Sequence, residues 1–381
     1  MQHSKIKFNN RIQADFASEL KHKVQAYFTD NQISTHANAA MVIKTICMFG
    51  LAFIPYFLLM LFPFAVWQML VLCVIMGIGI AGIGFAVQHD ANHGAYSANE
   101  NINKILGFSL SLIGGNDYMW RIKHNVLHHT FTNIHGKDED ISIVKFIRLA
   151  PNAPYSPIHK IQHWLAWFAY TILTISWVFY MDFPKIKRYN GHGSPNPENK
   201  HPKSEIVMLF VMKAFYFFYA IALPIMVLDL AWWQILIGFT VTHLVAGFVL
   251  TTVFQLAHVV EDLDFPLPDA QGSIENSWFV HQMETTANFA RNNQLVTWYV
   301  GGLNYQIEHH LFPKICSIHY PAISHIAEDT AKKYGVSYHN KNSLTQALAS
   351  HYRTLKRFSK PEPIMVKQES VKLPETELEL V

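Results

Sequence analysis

The chain has 381 residues, half of them hydrophobic and 14% aromatic, and only 15% are Asp, Glu, Lys or Arg. Soluble domains usually contain about 25% charged residues, so this composition is typical of an integral membrane protein. A net charge of +3 without a basic, aromatic-rich run argues against a nucleic-acid partner, and three scattered cysteines support neither a disulfide framework nor a thiolate metal site.

The first 40 residues are polar and carry Lys5, Lys7 and Arg11, so they do not resemble a secretory signal. The first apolar run begins near Met41, and we expect it to be retained. Apolar side chains at helical spacing predict a helix within residues 8–30. Such a helix packs either on its own domain or on the membrane surface.

Four apolar runs are long enough to cross a bilayer, which takes about 20 residues: 42–62, 66–88, 205–228 and 234–257. Within each pair the connecting turn is short and lacks Lys and Arg, whereas the N-terminal side is basic. The positive-inside rule therefore places the N-terminus and the end of the second run in the cytoplasm.

A fifth apolar run, residues 161–181, contains Trp164, Trp167 and Trp177 and precedes the basic segment 185–188. If it crossed the membrane, the histidine-rich segments on either side of it would face opposite sides. We therefore predict that it lies along the membrane interface, where tryptophan is favoured. The alternative is a fifth span.

These patterns predict an all-α integral membrane protein with four transmembrane helices and a cytoplasmic helical cap. The predicted parts are an N-terminal segment with an amphipathic helix (1–40), a membrane domain (41–340), and the end of a cytoplasmic helix with a mobile acidic tail (341–381). Within the cap, residues 271–300 and 317–355 are predicted to be helical. Both termini are expected in the cytoplasm.

Histidine is the compositional anomaly, with 22 copies. Three clusters stand out: His89 and His93; His124, His128 and His129; and His309 and His310, preceded by Gln306. Two histidines at i and i+4 of an α-helix share one face and can hold one metal, while an adjacent histidine, turned by about 100°, can reach another. Three clusters on one side of the membrane therefore predict a two-metal site. Imidazole suits Zn, Cu, Fe and Ni, so the spacing does not choose the metal.

The remaining histidines, taken one at a time, are interpreted as ordinary core or surface residues: His3, His22, His36, His135, His159, His163, His192, His201, His243, His281, His319, His325, His339 and His351. Carboxylates near the clusters either orient imidazole N–H groups or are solvated charges: Asp90, Asp138, Asp140, Glu261, Asp262 and Glu308.

The three clusters resemble the three histidine boxes of membrane fatty-acid desaturases, and the sequences that flank them match as well. The resemblance covers roughly residues 40–340. It implies a non-haem enzyme with two iron ions that uses O2 and two external electrons to remove two hydrogens from an acyl chain. The family also uses a histidine shortly after the last span, and His258 occupies a matching place. The box histidines and His258 are then the expected iron ligands.

The third box begins with Gln306 where the family often has histidine. This variant resembles the front-end desaturases, which insert a double bond between an existing one and the carboxyl end. Gln306 can be a weak ligand, can orient a water molecule, or can leave a coordination position open for dioxygen.

Many front-end relatives carry a fused cytochrome b5 domain with a His-Pro-Gly-Gly motif, which these 381 residues lack. We therefore expect electrons from a separate donor, a ferredoxin or a free cytochrome b5. The acyl substrate is expected on coenzyme A or on a lipid, in a narrow apolar tunnel. The membrane is expected to be a bacterial inner membrane or one of the endoplasmic-reticulum type.

Two other functions fit part of the pattern. A membrane hydroxylase or ketolase would use the same histidine framework with a different outcome. A metal transporter would use histidines for transport, but transport sites usually lie near the midplane of the spans. Here the spans hold almost no ionisable residues, with His243 as the main exception, and the histidines gather at one face.

Overall fold

The computed structural model describes residues 6–142, 145–189 and 201–361. Four helices in this part of the chain are long and apolar enough to cross a membrane, named here spans 1 to 4: Ala39–Leu61, Val66–Asn92, Lys203–Val227 and Trp232–His258. The four predicted spans are thereby confirmed. Spans 2 and 4 extend past their predicted ends, and each carries predicted metal-binding histidines at that end.

The spans are helical because, in lipid, the backbone N–H and C=O groups of a long apolar run can form hydrogen bonds only with one another. Span 1 begins where the Asn38 side chain accepts a hydrogen bond from the Met41 N–H at 3.1 Å. Spans 1 and 4 both pack on span 2 through small residues. Gly79 lies against the span 1 backbone at Ala52, and Gly77 lies against the span 4 backbone at Thr242. Small residues allow such close approach between membrane helices.

The outer faces of the spans are apolar, as contact with lipid requires. Large hydrophobic side chains that are more than half exposed include Ile46, Phe57, Leu61, Trp67, Phe210, Val211, Met226 and Trp232. In water such a continuous apolar surface would be an aggregation hazard. Together with the four spans it identifies an integral membrane protein.

The fifth apolar run forms two helical stretches, Pro157–Thr171 and Leu173–Tyr189, bent by 58° at the break between them. The first stretch begins with a 3₁₀ turn, and the second contains a π turn at Trp177–Met181. The run is therefore not one straight transmembrane helix. Its position along the membrane interface stays a prediction.

The amphipathic N-terminal helix is Ala14–Asp30. Its apolar stripe includes Phe16, Leu20 and Val24, which are buried in one cluster with residues of the helix Tyr320–Lys333. The helix therefore packs on its own domain and does not present this stripe to the membrane.

The cap is not entirely helical. Two pairs of short parallel strands join distant parts of the chain: Lys7–Phe8 with Ser273–Ile274, and Ala287–Phe289 with His339–Lys341. The prediction that residues 271–300 and 317–355 are helical was therefore wrong at these strands. Strands of two or three residues are too short for an alternating pattern, and their pairing across the chain leaves no local signal.

Two helices of the cap, Tyr320–Lys333 and Leu344–Phe358, have 14 and 15 residues. The other helices of the cap and of the loops between spans are short: Glu100–Gly107, Ser109–Leu112, Asp117–Arg121, Ile122–His128, His129–Phe131, Glu139–Ser142, Trp278–Glu284, Gln294–Tyr299, Gln306–Leu311 and Ser317–His319. The predicted acidic tail from residue 362 onward and the loop 190–200 lie outside the described residues. The predicted boundaries near residues 40 and 340 stay predictions.

A pair of glycine substitutions tests the packing of the spans. In Gly79→Ala the new Cβ would overlap main-chain atoms of span 1, so we expect a loss of about 1–3 kcal/mol and less folded protein. Gly50→Ala is the matched control, because its Cβ would meet only the flexible Ile54 side chain, at 3.4 Å. Thermal unfolding in detergent should separate the two variants. Equal midpoints would contradict this packing.

Candidate metal centre

Four separate segments bring the predicted histidines together. Box one lies at the end of span 2, box two on the helical turns 122–131, box three on the helix Gln306–Leu311, and His258 ends span 4. The rings of His89 and His309 are 4.4 Å apart between centroids, and those of His128 and His258 are 4.7 Å apart. Histidines more than 200 positions apart in sequence thus line one small space.

The imidazole nitrogens fall into two neighbouring groups. One consists of His89, His93, His124 and His309, and the other of His128, His258 and His310. Within each group the candidate ligand atoms all lie within 4.8 Å of one another. His129 forms a further such set with His309 and His310, so it lies where the two groups meet. Because metal–imidazole bonds are about 2 Å long, each group has the size of one coordination shell.

Box two departs from the predicted helical geometry. Residues Ile122–His128 form a π-helix, in which the backbone N–H of His129 bonds to the carbonyl of His124. His129 therefore follows His124 by one π turn, and their Nε2 atoms are 3.2 Å apart. The prediction that His124 and His128 share one helical face, with His129 turned about 100° away from it, assumed α-helical pitch and was wrong for this π-helix. Such π turns are common at functional sites, but nothing in the sequence marks this one.

Several imidazole nitrogens at this centre are buried without a hydrogen-bond partner among the described residues: Nδ1 of His129, and Nε2 of His93, His258, His309 and His310. Nearly all buried polar atoms in proteins are paired. In addition, Nε2 of His89 lies 3.2 Å from Nε2 of His124, an approach of two nitrogens that ordinary packing does not need. A bound metal would satisfy these lone pairs, so the donor set fits a metal centre.

The Nδ1 atoms of four histidines contact a fixed polar group: His128 at Asp138 Oδ2 (3.0 Å), His258 at the Thr285 carbonyl (3.3 Å), His309 at the Tyr320 hydroxyl (3.2 Å) and His310 at Gln282 Oε1 (2.8 Å). An Nδ1–H that donates to such a group leaves the Nε2 lone pair free for a metal and fixes the orientation of the ring.

The charge states of five of the rings also suit metal binding. Burial, reinforced by neighbouring imidazoles, lowers the pKa well below its usual value for His93, His124, His129, His309 and His310. These rings are therefore neutral at pH 7, as metal ligation requires. For His128, burial opposes the charge, but the Asp138 and Asp140 carboxylates outweigh it and raise the pKa.

The six carboxylates named from the sequence have different roles. Asp138 bonds to His128, and Asp140 lies 3.5 Å from the same ring. An oxygen of Asp90 is 3.6 Å from His89 Nδ1, and its other oxygen accepts hydrogen bonds from the Ser317 N–H and hydroxyl. These three carboxylates thus lie directly behind the metal-facing rings.

The other three carboxylates have partners that are not imidazoles. Glu308 accepts hydrogen bonds from the Asn288 amide and the Tyr338 hydroxyl. Glu261 pairs with Arg353, and Asp262 pairs with Lys341. Burial raises the pKa of Glu308 to about 7.

Sequence reasoning missed the neutral side chains that hold the histidines. Gln282 is fully buried; its amide oxygen contacts His310 Nδ1 and accepts from the Thr132 hydroxyl at 2.9 Å, and its amide nitrogen donates to the His129 carbonyl at 3.1 Å. One side chain therefore joins box two to box three. Its partners lie up to 153 positions away, so no local pattern could have identified it.

Gln306 is the first residue of the helix that carries box three, and it is buried. Its amide nitrogen has no hydrogen-bond partner among the described residues. Because an unpaired buried amide is unusual, the Gln306 N–H groups can still donate a hydrogen bond to a further group such as a water molecule.

A cavity of about 420 Å³ opens beside the histidines. His124, His128 and His258 form part of its wall, and most of the rest is apolar and aromatic. A narrow cavity of about 20 Å³ continues from it, sharing Leu250 and Phe254. Beyond that lies a cavity of about 290 Å³ among the spans, lined almost entirely by apolar residues.

The narrow cavity lies between the two larger ones and has lining residues in common with both. It shares Trp120, Trp177, Leu250 and Phe254 with the cavity at the histidines, and Ile80 and Ile113 with the cavity among the spans. Leu250 lies eight residues before His258 on span 4, about 12 Å along the helix. Three adjacent cavities therefore extend in a row from the histidines toward the membrane interior.

Comparisons with known proteins agree with this arrangement. The sequence profile of the family described as Fatty acid desaturase matches residues 65–342. The chain is 35% identical over 357 residues to the "sn-1 linoleoyl-lipid 6-desaturase" of Synechocystis sp., covering 93% of this chain and 98% of that protein. It is 36% identical over 373 residues to the protein of that name from Arthrospira platensis, covering 97% and 99%.

A third relative is the "Acyl-lipid (8-3)-desaturase" of Physcomitrium patens, 34% identical over 345 residues. The alignment covers 90% of this chain and 71% of that protein.

Gln282→Leu tests the support of the metal centre. The variant leaves His310 Nδ1 without its acceptor, and loss of such an outer partner typically weakens metal affinity about 10–100-fold. We expect less metal per purified chain, measured by mass spectrometry of the metals after equal dialysis. Gln294→Leu, at an exposed position, is the matched control. Equal metal content in both variants would show that Gln282 does not support the centre.

Proposed function

The chain belongs to the fatty acid desaturase family, and from that membership we propose that it inserts a double bond into an acyl chain of a membrane lipid, at two iron ions held by its histidines. The observation that carries the proposal is the pair of adjacent imidazole groups, each with the size of one coordination shell. Two metals side by side suit a reaction that consumes O2 and two electrons.

We assign the ligands from the two groups. His89, His93, His124 and His309 would hold one iron, and His128, His258 and His310 the other, with His129 between them. When bound, the iron pair supplies the oxidising power, from O2 and two external electrons, that removes two hydrogens from an unactivated chain. Gln306, with its unpaired amide, keeps the three alternatives of weak ligand, water-orienting group or open position.

The chain's own residues would bind and orient the substrate. The cavity at the histidines is bordered on one side by exposed Lys145 and Phe146, which lie on the approach to the surface. We place the carboxyl end of the acyl chain there and its methyl end beyond the narrow cavity, in the cavity among the spans. The apolar walls exclude water from the carbon that faces the irons.

This orientation suits a front-end reaction. A double bond close to the carboxyl end leaves most of the chain on the methyl side of the irons, and the path past Leu250 and Ile80 provides room for it. The relatives named as 6-desaturases and as an (8-3)-desaturase of acyl lipids favour a lipid-linked substrate and a position of this kind.

We place the histidine end of the spans in the cytoplasm, because the N-terminal side is basic and the turns at the opposite end lack Lys and Arg. The bent pair at 157–189 then lies at the cytoplasmic interface, where it forms part of the cavity wall. A separate ferredoxin or cytochrome b5 would deliver the electrons to this face.

Expression in a host without polyunsaturated fatty acids, fed with defined acyl chains, tests the function. Mass spectrometry of the lipids should show loss of two hydrogens at one position near the carboxyl end. A gain of one oxygen instead would identify a hydroxylase and overturn the proposal.

His310→Ala should abolish the product while the protein still inserts into the membrane, because the ring belongs to one of the two proposed iron-binding groups. Purified wild-type protein should carry about two iron ions per chain, and the variant fewer. His325→Ala, on the exposed side of the cap, is the control and should retain both activity and iron. Normal product from the His310 variant would remove this ring from the site.

A further inference from the structure

Buried lysines lie inside spans 1 and 3: Lys44 near the start of span 1, and Lys213 in span 3. Lys213 is in the middle of span 3, close to lipid-facing Phe210 and Val211, yet only 3% of its surface is exposed. A charge within the bilayer region is costly and is usually retained for function. The side chain must therefore turn inward and find partners.

The Lys213 ammonium donates three hydrogen bonds, which use all of its N–H groups. They go to the Gly114 carbonyl at 2.7 Å, the Trp177 carbonyl at 2.8 Å and Asp182 Oδ2 at 2.9 Å. Asp182 is itself buried and lies 3.5 Å from the buried Lys185. The Asp182 carboxylate is thus shared by two ammonium groups, and two backbone carbonyls complete the hydrogen bonds of Lys213.

Those two carbonyls belong to residues that line the narrow cavity, which is called the narrow passage from here on. Gly114, in the turn before box two, and Trp177, at the π turn of the bent pair, both line the narrow cavity of about 20 Å³. Trp177 also lines the larger cavity at the histidines. A single ammonium on span 3 therefore holds together two segments that are far apart in sequence.

The turn at Gly114 has little freedom to move independently. Its backbone φ of +92° favours glycine, and a Cβ there would lie 2.7 Å from Val178 and 2.9 Å from Tyr216. Tyr216, one turn after Lys213 on span 3, hydrogen bonds through its hydroxyl to His243 at 2.6 Å. The position of this turn therefore follows that of span 3.

We propose that Lys213 is a positioning residue that determines specificity: by holding Gly114 and Trp177 it sets the width of the narrow passage and so the carbon that faces the irons. The proposal rests on the function proposed above. The passage would hold the part of the acyl chain that lies between the reacting carbon and the methyl end. Without the Lys213 hydrogen bonds, Gly114 and Trp177 would move apart and the acyl chain could slide along the passage. The enzyme would then desaturate neighbouring positions and accept other chain lengths.

Lys213→Met tests this by removing the ammonium while keeping the length of the side chain. We expect about a tenfold fall in the ratio of the main double-bond position to its neighbours, equivalent to about 1.4 kcal/mol, in the lipid products from fed chains of several lengths. Lys213→Arg keeps the charge and the donors and should keep the ratio close to that of the wild type. Val211→Ala, on the lipid face of the same helix, is the control.

Gly114→Ala displaces the same carbonyl without changing a buried charge, so it should shift the ratio in the same direction. If Lys213→Met does not accumulate in the membrane, the product ratio of Gly114→Ala tests the inference instead. Lower total activity with an unchanged product ratio in these two variants would show a merely structural role and overturn the inference. If the wild-type protein makes no unsaturated product in the same assay, the proposed function fails instead.

Discussion

The structure depends on the convergence of eight buried imidazoles whose metal-facing nitrogens have few protein partners. Removing so many polar atoms from water without hydrogen bonds would cost several kcal/mol in total, because each unpaired buried group costs about 1–3 kcal/mol. A bound metal would offset that cost. The spans, the π turn and the cap can therefore be understood as the means of holding these rings in place.

The histidine rings are held in different ways on the two sides of the metal centre. On the membrane side, span 2 and span 4 carry His89 and His258 at their ends, so ordinary helix packing fixes those rings. On the opposite side the histidines lie on short helices that would be unstable alone. There the polar contacts of Gln282, Tyr320 and Asp138 supply the rigidity, and the N-terminal helix packs over the helix that follows box three.

The sequence was sufficient for the features that have a local signal. Hydropathy located the four spans, and histidine spacing located the boxes. It was insufficient where geometry depends on distant parts of the chain. The π turn at Ile122–His128 has no marker, the strand Ala287–Phe289 pairs with residues more than 50 positions away, and Gln282 resembles any other glutamine until the fold brings it to His310. Lys213 was overlooked because one lysine hardly changes the hydropathy of a span.

Reaction at an unactivated carbon needs both a dry passage and a fixed chain position, and these requirements conflict. Apolar walls exclude water but hold a hydrocarbon chain only weakly, because they offer no directional contacts. Polar groups give rigid geometry but cannot line the passage without admitting water. The proposed passage would separate the two tasks: side chains such as Leu250 and Phe254 line it, whereas the Lys213 ammonium is bonded to the backbone carbonyls of two of its lining residues. Since those carbonyls are covalently part of the walls, directional bonding can fix the shape of a passage whose surface stays apolar.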